Sequence, residues 1–361
     1  MRLSEADKAF ARAEDLRQRS RYHEALALFI AARGRYRRAG DIRRILDCEL
    51  AIGDVCRMLG RFEKAESSYA DAIKTAALAE DRDALADATV GMALAMRGRG
   101  DWKNAIRLCT QASRHYRRNR DDQGVAFSLW SLAGSYRIKG DIPKAIETYK
   151  KARSLFTKLS LEAAVGYCLC GLGGASRVAG RFSDSRSYYQ DANSLMKKLG
   201  DRFGTAYSYC GLGNAFRMEG KYRTALANFR KASVIYKSIG DRVSYAYTIW
   251  SIGTTRKMLG DLTGAAESFT EAAGFFRRTR DPRGLIYCGL GFGEIALLQG
   301  RRTAAARLIS RGLADAKRYG FRVERCHAEV LTALLWGRTA PRCHSRLGLK
   351  LALDRLPLNI P

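Results

Sequence analysis

Six cations recur at intervals of forty residues along this chain: Arg57, Arg97, Arg137, Arg177, Arg217 and Lys257. A second set keeps the same interval, Tyr167, Tyr207, Tyr247 and Tyr287, with Trp130 and Trp250 in a neighbouring column. Guanidinium forks suit carboxylates and phosphates, and aromatic rings give large contact area at small entropic cost. Together these residues offer recognition of a partly anionic, partly apolar ligand, and no bond-making chemistry.

Catalytic constellations find little support. The four histidines, His23, His115, His327 and His344, do not recur in phase with a serine, cysteine or carboxylate that would complete a nucleophile and base. The dipeptides Cys326-His327 and Cys343-His344 could be two halves of a metal site, but they lack the short ligand spacing of a zinc module and read as a chance pairing. Gly289-Leu290-Gly291-Phe292-Gly293 and Gly171-Leu172-Gly173-Gly174 look like phosphate-cradling loops, yet they fall inside helices at packing columns instead of between a strand and a helix. No enzyme, metal or cofactor is expected.

The elements that position the cations are set by glycines at the same forty-residue interval, Gly60, Gly100, Gly140, Gly180, Gly220, Gly260 and Gly300. Five residues after each comes Ala65, Ala105, Ala145, Ser185, Ala225, Ala265 or Ala305. Four further on stands a bulky residue such as Tyr69, Tyr149, Tyr189, Phe229 or Phe269. These offsets share one helix face, so a helix B follows each glycine. A helix A precedes it, marked by small residues at Gly53, Ala93, Ala133, Gly173, Gly213, Gly253 and Gly293. Units meet at Gly-Asp steps such as Gly40-Asp41 and Gly240-Asp241, where glycine ends one helix and aspartate caps the next. The period predicts an all-α chain, a right-handed α-solenoid of helix-turn-helix units, elongated instead of closed into a globule.

The set Leu212, Gly213, Phe216, Ala225, Phe229 and Ala232, which recurs in most units, resembles the tetratricopeptide repeat family. The unit is six residues longer than the family's usual thirty-four and is similar to the long-repeat branch of partner-of-Inscuteable-like adaptors and related bacterial proteins. The expected organisation is a degenerate N-terminal unit at 1–45, seven repeats at 46–325, a capping helix at 326–337, and a tail at 338–361. The resemblance implies that helix A lines a concave groove. It also implies that the ligand-facing columns hold the six cations, the four tyrosines, Trp130, Trp250 and Asn214, with Asp47, Asp54 and Asp87 in the first two units. The implied function is a scaffold, adaptor or assembly factor that binds an extended, partly acidic segment of a partner protein.

Charge opens a rival reading. With 64 Lys and Arg against 36 acidic residues, the net charge of +28 is the footprint of a nucleic-acid or anionic-surface binder. The basic runs at Arg33 to Arg38, Arg114 to Arg120 and Arg277 to Arg280 fall late in helix B or just after it, on convex or edge surface, so this affinity would be nonspecific. A third reading is a regulator that senses a peptide or metabolite. No apolar stretch suits a membrane span and the start is charged, so a cytoplasmic protein with nine reduced cysteines is expected. The tail turns at Pro341 and then clusters leucines from Leu347 to Leu356. It reads as a short helix with a frayed end, with a detachable hydrophobic segment that occupies the groove or a partner as the alternative.

Overall fold

A computed structural model describes residues 4–351 and 353–361. Residues 1–3 of the N-terminal unit expected at 1–45, and Ala352 of the tail, lie outside the described residues.

The described residues form helices paired in chain order. The first pair is α1 (Glu5–Gln18) and α2 (Tyr22–Ala39). It is followed by α3 (Ile42–Met58) and α4 (Phe62–Leu78), α5 (Arg82–Gly98) and α6 (Trp102–Arg118), and α7 (Asp122–Lys139) and α8 (Ile142–Lys158). Next come α9 (Glu162–Val178) and α10 (Phe182–Lys198), α11 (Arg202–Met218) and α12 (Tyr222–Ile239), and α13 (Arg242–Met258) and α14 (Leu262–Thr279). The last pair, α15 (Pro282–Leu298) and α16 (Arg302–Tyr319), is closed by α17 (Arg322–Leu335) and the one-turn α18 (Cys343–Arg346).

Helix starts follow from local chemistry. The side chains of Asp41, Asp81, Asp121, Asp201, Asp241 and Asp281 each accept from a backbone N–H in the first turn, satisfying donors that a helix start leaves open. Gly140, at φ +87°, takes the left-handed cap that lets α7 stop and α8 turn back. Packing is set by bulky-on-small contacts. The Tyr189 ring on α10 fills the space that side chains on Gly173 of α9 and Gly211 of α11 would need, which locks two successive A helices together. Tyr69 does the same between Gly53 and Gly91, and Phe269 between Gly253 and Gly291.

The solenoid coils tightly enough for one superhelical turn to touch the next. Gly60 lies beneath Val243 and Thr279, Gly100 against Pro282 and Phe321, and Gly140 against Arg322 and Val323. Trp102 Nε1 donates to the Tyr319 carbonyl at 3.0 Å, Arg280 pairs with Glu63, and Tyr22 and Leu59 share an apolar cluster with Ile239. Each repeat adds a fixed rotation, so a contact between residue n and one about 180 positions later propagates along the seam and turns the groove into a channel.

The cysteine reading needs correction. Cys326 and Cys343 form a disulfide, and the other seven cysteines are free. The two Cys-His dipeptides taken as chance pairing do meet, because the chain turns back after α17 and α18 returns against it. The His327 and His344 rings then lie 5.1 Å apart. Burial holds both imidazoles below their usual range, His344 at about 4.

Candidate functional site

The odd-numbered helices from α3 to α15 line the channel, which encloses a cavity of about 540 Å³. Arg57, Arg97, Arg137 and Arg177 border it, while Arg217 and Lys257 are fully buried one step further along. The column is therefore brought together around one channel, but its members differ in how their charge is met. Arg57 is 3.4 Å from Asp54, and Tyr69 and Asp54 together hold it above its usual range against the pull of burial. Lys257 pairs with Glu294 at 2.5 Å, and a further channel cation, Arg283, pairs with Glu324 at 2.5 Å. Among the described residues no carboxylate lies within ion-pair distance of Arg97, Arg137 or Arg177.

Glycines make room for two of these heads, Arg97 and Arg137. A side chain on Gly134 would collide with Arg97 Nη1, and one on Gly174 would meet Arg137 Nη1 at 3.5 Å. Arg97 Nη1 donates to the Ser131 carbonyl at 3.2 Å and its guanidinium lies 5.4 Å from the Trp130 ring centre. Arg137 Nε, Arg177 Nε and Arg177 Nη1 are shut off from solvent and have no acceptor among the described residues, and the same holds for the Trp250 indole N–H. Burial, aided by the neighbouring cations Arg137 and Arg57, pulls the Arg97 guanidinium below its usual range. Burial and Arg137 act likewise on Arg177, and Arg217 falls to about 9 through burial and Arg177.

The aromatic columns border the same cavity through Tyr167, Tyr207, Tyr247, Tyr287, Trp130 and Trp250, with Asn214 beside them. Phe127, Trp130, Tyr167, Phe203 and Tyr207 follow one another 5.8 to 6.5 Å apart, Phe127 stacked on Trp130, Tyr167 tilted against Phe203, and the other two pairs edge to face. Several hydroxyls are already engaged: Tyr167 donates to Asp201 at 2.6 Å, and Tyr287 to Glu324 at 2.6 Å. The acidic residues expected in the first two units stand elsewhere. Asp54 borders a separate, smaller cavity with Arg17 and Tyr22 and accepts from Tyr69, Asp87 accepts from Tyr116, and Asp47 faces Arg44. Asp47 and Asp87 do not line the main cavity.

One occupant of the channel belongs to the chain itself. The tail forms the single turn α18, crosses the rim where Lys350 N–H donates to the Ala179 carbonyl at 3.0 Å, and then turns inward as an extended strip. Arg217 Nη2 donates to the Ile360 carbonyl at 2.9 Å, Lys257 Nζ to the Leu358 carbonyl at 2.9 Å, and the Leu358 N–H to Glu294 Oε1 at 2.5 Å. Asn359 makes two bonds to one residue, accepting from Arg217 Nη1 and donating to the Arg217 carbonyl. Pro361 borders the cavity.

A family model described as tetratricopeptide repeat matches residues 5–77, 84–158 and 167–238, more than half of the chain. The chain belongs to the tetratricopeptide repeat family. The match is to this family at large and does not single out the partner-of-Inscuteable branch. No curated protein matches it. Among solved structures, this tetratricopeptide repeat protein is similar to a Rap protein complexed with Competence and Sporulation Factor, at 14% identity over 95% of this chain and 98% of that one, with a TM-score of 0.61. It is similar to the Rap conjugation gene regulator of the plasmid pLS20 in complex with the Phr* peptide, at 14% identity over 95% and 93%, TM-score 0.62. It is also similar to aspartyl phosphate phosphatase F from Bacillus subtilis, at 13% identity over 99% of both chains, TM-score 0.50. At these identities the likeness is one of fold.

Sequence reasoning missed four contributors to the site of this tetratricopeptide repeat protein. Tyr149 and Tyr189, taken as gap fillers of helix B, pass over the small columns and bring their hydroxyls to Gly134 and Gly174 in the channel wall. The signal was present, since this column carries tyrosine at 69, 149 and 189 and phenylalanine at 229 and 269. Phe203 and Arg283, which share one phase of the repeat, were also passed over. Only the glutamate partner of Arg283 lies beyond what spacing indicates.

Proposed function

We propose that this protein is a non-catalytic adaptor or regulator that holds an extended, partly acidic segment of a partner in its central channel. The observation that carries this reading is the set of three channel arginines, Arg97, Arg137 and Arg177, whose flanking cations are all met by carboxylates or by the tail. Buried guanidinium donors without acceptors, as on Arg137 and Arg177, are costly, and carboxylates of a ligand would satisfy them with charge-assisted bonds and would also meet the charge of Arg97, which donates only to a carbonyl. Neighbouring A helices stand about 10 Å apart, while an extended peptide advances about 3.3 Å per residue. The matching ligand therefore carries acidic groups at roughly every third residue, with apolar side chains between them for the aromatic wall.

Two of the similar structures are complexes, one with Competence and Sporulation Factor and one with the Phr* peptide, which supports a peptide-holding or peptide-sensing use of the fold. Among the described residues no helix is long and apolar enough to cross a membrane. The test is a fluorescence anisotropy titration with a labelled nine-residue peptide bearing glutamate at every third position among leucines. Changing Arg137→Glu together with Arg177→Glu is expected to weaken binding by at least about a hundredfold, because each site loses a charge-assisted bond of about 1.5–3 kcal/mol. Unchanged affinity would sink the reading. The net charge of +28 favours one rival, general polyanion binding on the outer surface. That rival predicts nucleic-acid affinity that falls steeply with salt and ignores the same double change.

A further inference from the structure

The strip Leu358–Asn359–Ile360 is held differently from the chain that leads to it. Leu358 and Ile360 are 1% and 5% exposed and join the apolar cluster of Trp250, Tyr287 and Leu290. Their main chain is read by both members of a buried ion pair and by a buried arginine. A segment that merely covered apolar surface would not need those contacts. Asn359 is read as an amide, since it accepts and donates at once to Arg217; a carboxylate could not donate and an aliphatic side chain could do neither. By contrast, Asp354 and Arg355 are exposed, and the segment from Leu353 to Pro357 makes no hydrogen bond among the described residues. The tip is held by hydrogen bonds to its main chain and amide, whereas its leader is held only by the partly buried Leu353 and Leu356 against the same apolar cluster.

We infer that Leu358–Asn359–Ile360 is an intramolecular ligand of a peptide subsite built by Arg217, Lys257 and Glu294, and that a partner segment of the pattern apolar–Asn–apolar binds there by displacing it. This rests on the reading of the channel as a peptide site. Pro361 and Arg177 both border the main cavity, so the subsite of the strip and the uncompensated arginines open on the same space. A partner that ran through both regions would place its asparagine on Arg217 and its acidic residues toward Arg177, Arg137 and Arg97. The root of the segment is tied by the Cys326–Cys343 bond, so the tip competes at high effective concentration, and any partner's apparent affinity is reduced by the fraction of channels it fills.

The experiment uses the full chain and a fluorescein-labelled peptide with the sequence of residues 353–361. Asn359→Ala loosens the built-in strip without touching the subsite, and this variant is expected to bind the probe about tenfold tighter than the unaltered protein. Adding Arg217→Gln to that variant, or replacing asparagine by aspartate in the probe, is expected to abolish the gain. As a check independent of variants, hydrogen exchange in residues 353–361 of the unaltered protein is expected to accelerate when unlabelled probe is in excess. Equal probe affinity for the unaltered protein and Asn359→Ala, no probe binding by either, or exchange that excess probe leaves unchanged, overturns the inference. The acidic peptide is titrated in parallel. If it binds through Arg137 and Arg177 while the probe fails, the channel reading stands and only this inference falls; if the probe binds and the acidic peptide does not, the channel remains a peptide site and only its proposed preference for acidic segments falls.

Discussion

Lys257 and Glu294 form an ion pair at 2.5 Å whose side chains are 1% and 2% exposed, and each also holds one end of the Leu358 peptide group. Burial pulls the Lys257 ammonium below its usual range while Glu294 pulls it back. Two ions taken from water are tolerated only as a pair. Glu294→Gln therefore leaves an unmatched ammonium inside the protein and is expected to cost about 3–5 kcal/mol in chemical denaturation, whereas Lys257→Met combined with Glu294→Met should return stability to within about 1 kcal/mol of the parent. A single change costing less than the double one would refute this account.

The glycines beneath the arginines and those beneath the tyrosines should respond oppositely to alanine. At Gly134 the new methyl meets the movable end of Arg97 and the Tyr149 hydroxyl, so the guanidinium swings aside. Stability should hold or rise by about 0.5–1 kcal/mol, as expected for Gly→Ala within a helix, while affinity for the acidic peptide falls several-fold. At Gly211 the methyl would enter the ring of Tyr189, which is 3% exposed and held on both sides, so Gly211→Ala is expected to lower stability by about 1–3 kcal/mol. Thermal melting and anisotropy on the two variants separate a binding glycine from a packing glycine.

These contrasts mark what the sequence could disclose. Aspartate caps, left-handed turns and bulky-on-small columns act within a few residues, so each forty-residue unit spells out its own two helices, and the cation column is visible as a phase of that unit. The seam between Gly60 and Val243 depends instead on the rotation summed over several repeats, which no single unit encodes. The same is true of the tail. Its leucines are readable as apolar, but their lodging in the channel depends on the channel's closing and on Arg217, Lys257 and Glu294 coming together there. Cys326 and Cys343 were legible as residues and not as partners, because their pairing requires the chain to turn back after α17.

Asp241 gives a pH dependence with a definite sign. It caps α13 by accepting from Val243 and Ser244, yet it is 4% exposed, and burial pushes its carboxyl up to about 6 despite those bonds and the charge of Arg57. The folded state then binds a proton more readily than the unfolded chain, whose aspartate titrates near 3.9. This contribution to stability is fully present below about pH 4 and is lost as pH rises through about 6. Asp241→Asn keeps the capping oxygen and removes the charge. It is expected to flatten the pH 4–6 segment of the stability profile and to add about 1–2 kcal/mol at pH 7, less than the full shift because the site relaxes. Parallel denaturation series of parent and variant from pH 4 to 8 check this; identical slopes would contradict it.

The Cys326–Cys343 bond joins residues 17 apart and fastens α18, and with it the root of the tail, to α17. Closing a loop of that length removes chain entropy from the unfolded state worth about 3 kcal/mol. Cys326→Ser with Cys343→Ser is therefore expected to lower the stability of the last unit by about 2–4 kcal/mol, while the free thiols Cys48, Cys56, Cys109, Cys168, Cys170, Cys210 and Cys288 tolerate reductant without change. Thiol titration in denaturant should find seven reactive groups before reduction and nine after. With α18 freed, the strip at Leu358–Ile360 loses its tether and should exchange amide hydrogens faster in the serine variant than in the parent, even where the two melt alike in the preceding repeats. Nine thiols before reduction, or equal exchange in the two proteins, would remove the bond from its role as the anchor of the tail.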